Sequence, residues 1–285
     1  MKRLKIPNLE DNMANLSFSD QECDSTYEFI IKKLNHDGAL HFSLIDPDPL
    51  RQTPSNAAKM ALYAQEAGTD VILVGGSTAY DQGYVDKTIK RIKKKVTVPI
   101  VIFPGGVANV SQNADAILFM SLLNSTDPYF IIGQQALASY MIKLAGLESI
   151  SMGYLIIEPG ATAGWIGDAK LLPRRKPELT AAYSLAAQMF GFKFVYLEAG
   201  SGAESIPPEI IKLCRRVLNI PIIVGGGVSS TKDAKKFIEA GGDVIVMGTF
   251  LEDNILDDEG ASLKQIIDEI KSIGASQKKD FDVLK

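Results

Sequence analysis

The chemistry-bearing residues of this chain sit where short apolar runs end. Asp46 closes the run LIDPD at residues 44–48. A carboxylate in that place suits a hard cation such as magnesium, which takes carboxylate and phosphate oxygens together. Asp-Pro is also turn-like, so a turn or helix cap is the competing reading for Asp46, and Asp48 reads as a turn or cap residue. The second run ends in Gly75-Gly76-Ser77; these residues could receive a phosphate, with Ser77 helping to ligate the metal, or simply turn the chain. Glu198 is buried in an apolar run, in YLEAGSG at 196–202. A carboxylate there is costly unless it is paired or faces a polar pocket, which points to a group that grips substrate hydroxyls or takes a proton. Tyr154 lies inside another apolar run, where core packing and a catalytic role both remain open. Glu158, ahead of Pro159-Gly160, is placed to organise the loop that follows.

Three glycine-rich ends form a second set: Tyr196-Leu197-Glu198-Ala199-Gly200-Ser201-Gly202, Gly225-Gly226-Gly227 followed by Val228-Ser229-Ser230, and Met247-Gly248-Thr249. Glycines let the backbone approach an oxyanion and present its N–H groups, and a helix starting near Ser230 would add N-terminal donors. No Arg or Lys lies within these ends, so a phosphate would rest on backbone donors with help from Tyr196, Ser201 and Thr249. The basic run Arg174-Arg175-Lys176 reads equally as a solvated loop face or a diphosphate clamp. His36 and His41 lack the spacing of a zinc site. Trp165 reads as a lid residue, an oligomer contact or core.

The elements that must position these groups alternate along the chain. Eight candidate strands appear at 41–45, 71–74, 99–103, 116–120, 152–157, 193–197, 220–224 and 243–247, apolar on both faces as parallel strands covered by helices require. Helices are expected at 20–34, 54–67, 83–94, 129–146, 177–190, 207–217, 231–240 and from Gly260 to about Ile273. The order and spacing predict an α/β fold, a closed (β/α)8 barrel, whose loops after the seventh and eighth strands commonly hold phosphate. Residues 104–115 lack amphipathic period, so an irregular segment replaces the third barrel helix. Residues 158–177 also lack period, and their place after the fifth strand suggests a lid or binding loop. The reading is one domain over 1–285: an N-terminal extension and helix to 40, barrel strands and site loops at 41–251, and a terminal helix and tail.

With 46% hydrophobic and 22% charged residues the composition is globular, and a net charge of −4 argues against a general nucleic-acid footprint. Cys23 and Cys214 are far apart and read as unremarkable thiols of a reducing compartment. The N-terminus lacks the apolar run of a signal peptide and no window reaches membrane-span length, so a cytoplasmic protein is expected.

The chain resembles the geranylgeranylglyceryl phosphate synthase family, which includes the bacterial heptaprenylglyceryl phosphate synthases. The resemblance rests on LIDPD at 44–48, VGGS at 74–77, GYLIIEPG at 153–160, YLEAGSGA at 196–203, VGGGV at 224–228 and MGT at 247–249. It implies a magnesium-dependent transfer of a prenyl group from an all-trans prenyl diphosphate to the 3-hydroxyl of sn-glycerol 1-phosphate. Carried onto this chain, Asp46 and Ser77 would bind Mg2+ and place the donor diphosphate. Residues 196–202 with Gly226, Gly227, Gly248 and Thr249 would hold glycerol phosphate. Glu198 would orient or deprotonate the acceptor hydroxyl, with Tyr154 near the reacting carbon and Gly106 and Ala108 opening a groove for the tail. The resemblance is to the longer second group, which implies geranylgeranyl diphosphate as donor. A longer prenyl donor, or a sugar-phosphate isomerase or aldolase-type barrel, is the alternative. It further implies a homo-oligomer, a dimer or hexamer, with peripheral and transient membrane contact. Pro49 stands where many relatives carry Lys.

Overall fold

A computed structural model describes residues 25–75, 81–277 and 280–282. Eight parallel strands close into a barrel in chain order. They are β1 (Leu40–Ile45), β2 (Val71–Gly75), β3 (Ile100–Phe103), β4 (Ala116–Leu122), β5 (Glu148–Ile156), β6 (Phe194–Glu198), β7 (Ile222–Gly225) and β8 (Val244–Met247). All eight expected strands are present; β5 starts four residues earlier than the apolar run indicated, at the polar stretch Glu148–Ser151. Strand alternation divides the apolar residues into two layers. Phe42, Leu73, Val101, Leu118, Met152 and Tyr196 fill the interior, while Ile72, Ile102, Ile117, Leu197, Val224 and Ile245 pack outward under the helices.

The first described helix, α1 (Thr26–Asp37), sets Ile30, Ile31 and Leu34 against the interior layer and so closes the barrel's base. It is capped by Ser25, whose hydroxyl accepts from the Glu28 N–H at 3.0 Å. The expected helix 20–34 therefore ends three residues later, and its first residues lie outside the described residues. Around the barrel follow α2 (Pro54–Glu66), α3 (Gln82–Lys93), α4 (Gln134–Leu144), α5 (Ala161–Ile166), α6 (Pro177–Met189), α7 (Pro208–Val217), α8 (Thr231–Glu239), α9 (Thr249–Asn254) and α10 (Ala261–Ala275). At the base, Lys271 of α10 joins Asp37 at 2.9 Å and Asp70 at 2.6 Å. Asp70 also accepts the backbone N–H of the fully buried His41 at 2.8 Å.

No barrel helix joins β3 to β4. Residues 104–115 hold only a 3-10 turn at Val107–Asn109, stapled by Asn109 Oδ1, which accepts from the N–H groups of Gly105 and Gly106 at 2.8 and 2.9 Å. The strands on either side pair over two residues only, Val101 with Ala116 and Ile102 with Ile117, whereas β4 and β5 pair over seven. Two elements depart from the sequence reading. The helix expected over 129–146 begins as a π-helical turn, Tyr129–Gly133, before α4. The loop after β5 contains α5, a helix too short to show a period.

That loop is packed down. Asn124, at the end of β4, exchanges bonds with the backbone of Ile156 and donates to the Lys170 carbonyl at 3.0 Å. Ser125 donates to the Gly167 carbonyl at 2.7 Å. Trp165 lies on α5 and is 84% exposed, so the core alternative for it does not hold.

Candidate active site

Glu198 occupies the last position of β6, and the period of two aims it and Tyr196 into the barrel mouth while Leu197 points outward. Leu197 is therefore buried under the helices, a correction to its expected place among the binding side chains. Glu198 is buried and its Oε1 accepts the Gly200 N–H at 2.6 Å. Burial pushes its carboxyl above the usual range, although bonds from Gly200, Tyr196 and Tyr154 oppose that shift. The same burial, followed by the charge of Glu198, holds both tyrosine hydroxyls protonated well past their ordinary range. They are hydrogen-bond donors to this carboxylate.

Phe103 completes an aromatic trio. Its ring centroid lies 5.3 Å from Tyr196 and 5.7 Å from Tyr154, with those two 5.2 Å apart. The sequence reading missed Phe103; the signal was its place as the last residue of the third apolar run. Gly75 pairs with it in register, and a Cβ at Gly75 would stand 1.6 Å from the Phe103 carbonyl oxygen.

The triple glycine after β7 serves close approach. A Cβ on Gly225 would fall 2.0 Å from the Tyr196 hydroxyl, and one on Gly226, with φ +82°, 2.4 Å from Glu198 Oε1. Of the expected phosphate residues, Tyr196, Glu198, Ser201, Gly202, Gly226, Gly227, Gly248 and Thr249 line one pocket at the barrel mouth. Ala199 and Gly200 do not reach its wall; Ala199 packs outward, and Gly200 spends its N–H on Glu198. Among the described residues no Arg or Lys lines this pocket, and Asp253 and Asn254 of α9 close one side. Ser229 also lines it, one residue before Ser230, whose hydroxyl caps α8 by accepting from the Asp233 N–H at 3.2 Å. Thr249 opens α9, so two helix starts, with their free N–H groups, adjoin the pocket.

A second cavity runs from this mouth over the barrel wall. It begins at Leu44, Asp46, Tyr154 and Glu198, passes Phe103 and Gly106, and continues to Ile117, Phe119, Ala138 and Ile142. Ile117 and Phe119 are outward-facing residues of β4, which a helix between β3 and β4 would have covered. The missing helix is thus what opens the groove. Gly106 lines it as expected; Ala108 does not, because the 3-10 turn directs it to solvent.

Asp46 lines the groove's polar end, and its Oδ1 is sealed from solvent with no hydrogen-bond partner. Burial, then the nearby charge of Glu252, pushes its carboxyl up to about 7. A sealed, orphaned oxygen on this half-buried residue is an incomplete site that a cation would complete. Among the described residues no group of three or more His, Cys, Asp and Glu could hold a metal. The donor set therefore fits an ion that draws most ligands from water and substrate phosphates, as Mg2+ does. Ser77 lies outside the described residues.

Asp48 acts as a turn residue, accepting the Leu50 N–H at 2.8 Å. Arg174 is directed away from both cavities, onto backbone carbonyls of residues 158, 204 and 205, so the diphosphate-clamp alternative fails for it. Glu158 does organise the loop, accepting the Arg174 N–H at 3.1 Å. His41 is buried at the base, far from this chemistry, and burial with the charge of Lys271 lowers its pKa to about 3. Cys214 is buried beside Ser184, and its thiol is pushed up to about 11 by that burial; Cys23 lies outside the described residues. No described helix is long and apolar enough to cross a membrane.

The structure is thus a closed barrel of eight parallel strands with a glycine-lined polar pocket at its mouth adjoining an apolar groove. The PcrB family model matches residues 31–272, and the chain belongs to that family, the family of the geranylgeranylglyceryl phosphate synthases. The geranylgeranylglyceryl phosphate synthase of Methanosphaera stadtmanae is 50% identical over 232 residues, covering 81% of this chain and 93% of its own. That of Thermococcus gammatolerans is 48% identical, covering 81% and 91%. Among solved structures, the (S)-3-O-geranylgeranylglyceryl phosphate synthase of Thermoplasma acidophilum, in complex with sn-glycerol-1-phosphate, superposes with a TM-score of 0.83. It is 39% identical and covers 87% of this chain and 99% of its own. An N-acetylmannosamine-6-phosphate 2-epimerase of Clostridium perfringens, 13% identical with a TM-score of 0.54 and coverages of 90% and 100%, shares the barrel fold alone.

Proposed function

We propose that this chain transfers the geranylgeranyl group of geranylgeranyl diphosphate to the 3-hydroxyl of sn-glycerol 1-phosphate, releasing diphosphate. The observation that carries the reading is that Glu198 stands in the wall of both the glycine-lined pocket and the apolar groove. A phosphorylated acceptor in the first and an isoprenoid in the second would meet at this one carboxylate. The names of the relatives, and the sn-glycerol-1-phosphate bound by the Thermoplasma protein, favour this pair of substrates.

In this reading the backbone N–H groups of Gly202, Gly226, Gly227 and Thr249 grip the acceptor phosphate and fix the approach of its far hydroxyl. The allylic C1–O bond of the donor breaks with its electron pair leaving on the diphosphate. A lone pair of the acceptor oxygen forms the new C1–O bond, and its proton passes to Glu198. A carboxyl held above its usual range accepts that proton more readily than an ordinary one. Tyr154 and Tyr196 hold the carboxylate in place, and the rings of Phe103 and Tyr154 favour positive charge developing at C1. Asp46, together with Ser77 as the family resemblance implies, would hold Mg2+, which would supply neutralisation of charge on the departing diphosphate. The groove along Ile117, Phe119, Ala138 and Ile142 takes the tail.

The test is formation of ether product from sn-glycerol 1-phosphate and magnesium, with geranylgeranyl, farnesylgeranyl and heptaprenyl diphosphates in separate reactions. Preference for the first donor is expected. Preference for a longer donor keeps the chemistry and changes the substrate. No product from any donor, with folded protein, overturns the reading in favour of a sugar-phosphate barrel.

A further inference from the structure

We propose that Arg174, which lines neither cavity, is a positioning residue that clamps the loop after β6 and so sets the affinity for the phosphorylated acceptor. The proposal rests on the glycerol-phosphate reading of that pocket. The Arg174 guanidinium is mostly buried, with 18% of the side chain exposed. Its Nη1 donates to the Glu204 carbonyl at 3.1 Å and the Glu158 carbonyl at 3.3 Å, and its Nη2 to the Ser205 carbonyl at 2.7 Å. One planar fork therefore joins the loop after β5 to the loop after β6. Its own N–H is held by Glu158 Oε2 at 3.1 Å, which fixes where the fork starts.

The clamped carbonyls bear on the pocket. Residues 200–205 form one short connection, of which Ser201, Gly202 and Ala203 line the pocket wall. Its far end packs against the triple glycine: a Cβ on Gly227 would fall 2.4 Å from the Ala203 carbonyl oxygen and 2.7 Å from the Ser205 N. Its near end packs on the loop after β5, where a Cβ on Gly200 would fall 2.6 Å from that of Ala161. With both ends fitted this closely, the N–H groups of 201 and 202 keep their aim only while residues 204 and 205 stay in place. Arg174 is what ties those two residues to the neighbouring loop.

The ion pair between Arg174 and Glu204 is not the basis of the clamp. It measures 3.0 Å, but Glu204 is 80% exposed on the side chain, and such pairs contribute little. The bonds to the carbonyls need several donors in a fixed plane, which a lysine ammonium does not offer.

The experiment compares Arg174→Ala, Arg174→Lys and Glu204→Ala in the full chain. It reads kcat, the KM of each substrate, and the Kd of sn-glycerol 1-phosphate by calorimetry. Both Arg174 variants should raise the acceptor KM and Kd by about tenfold or more, since the charged fork that joins three backbone carbonyls is lost. Their kcat at saturating acceptor and the KM for the prenyl diphosphate should change by less than about threefold, because neither the groove nor Glu198 is touched. Glu204→Ala should leave the acceptor KM within about twofold of the parent. Unchanged acceptor KM and Kd in a folded Arg174 variant overturns the proposal, as does a Glu204→Ala loss equal to that of Arg174→Ala. Should Arg174→Ala fail to fold, Arg174→Lys alone decides by the same two readouts. Failure of the unaltered protein to bind sn-glycerol 1-phosphate is a separate result, and it removes the underlying reading before any variant is compared.

Discussion

Replacing Gly226 by alanine perturbs the site through a single methyl group. The residue sits at φ +82°, and the new Cβ would stand 2.4 Å from Glu198 Oε1, 2.9 Å from the Gly200 N and 3.0 Å from the Ala199 N. The two nitrogens belong to the backbone just past β6, so the flexible carboxylate is what must retreat. Restoring an ordinary 3.4 Å contact moves Oε1 by about 1 Å and breaks its 2.6 Å bond to Gly200. A misplacement of about 1 Å costs on the order of a hundredfold in rate, or about 3 kcal/mol of transition-state stabilisation. The left-handed backbone adds a stability loss of about 1–2 kcal/mol, a fall in Tm of roughly 2–4 °C for each kcal/mol. Gly191→Ala is the matched control, with φ +86° and nothing within 4 Å of its Cβ; it should lose similar stability and keep its activity. Ether formation is measured for both variants well below their Tm. If Gly226→Ala stays within about threefold of the parent, or Gly191→Ala falls equally, the position of Glu198 is not what governs the rate.

Glu198→Gln should lower kcat/KM by about 10²–10⁴-fold. At saturating magnesium, which keeps Asp46 ionised, activity of the parent should rise with pH through a limb lying above the ordinary carboxylate range, because burial raises Glu198, and the same limb persisting in the variant would refute the assignment. Chelation of magnesium should abolish ether formation while leaving calorimetric binding of sn-glycerol 1-phosphate intact; loss of both would place the ion at the acceptor instead. His41 is buried in neutral form with its pKa lowered to about 3. The unfolded chain binds that proton near the ordinary histidine value of about 6.5, so stability falls as pH drops through this window, by at most about 5 kcal/mol. Urea unfolding between pH 7 and pH 4 should show the loss in the parent and a flatter profile in His41→Gln; equal slopes would count against it.

The barrel is legible because the strands are apolar runs spaced by helices, and because the ends of β6, β7 and β8 carry glycine. The period of two also contained the outward turn of Leu197, between inward Tyr196 and Glu198. Other features rest on partners remote in sequence. In the sequence Arg174 reads equally as a solvated loop face or a diphosphate clamp, because two of the three carbonyls it holds lie 30 and 31 residues away. The upward shift of Asp46 owes part of its size to Glu252, which reaches it only through α9, a helix of six residues. A helix over 129–146 is legible, but the π turn that opens it is set by i→i+5 backbone bonds, which the residue types do not announce. Phe103 gave no polar signal, and its role emerges only from the rings beside it.

The two-residue pairing between β3 and β4 has a mechanical consequence. A closed ring of strands gives way first at its thinnest seam, and amide exchange should find that seam opening ahead of the seven-residue contact next to it. The tail groove lies across this seam, touching Phe103 on one side and Ile117 and Phe119 on the other. A long flexible chain can thus be threaded in by local breathing, without disturbing the charged base that holds the barrel shut. If the proposed prenyl chain seats there, it would bridge the gap like a suture, and the ligand would close the ring that the polypeptide leaves loosely joined.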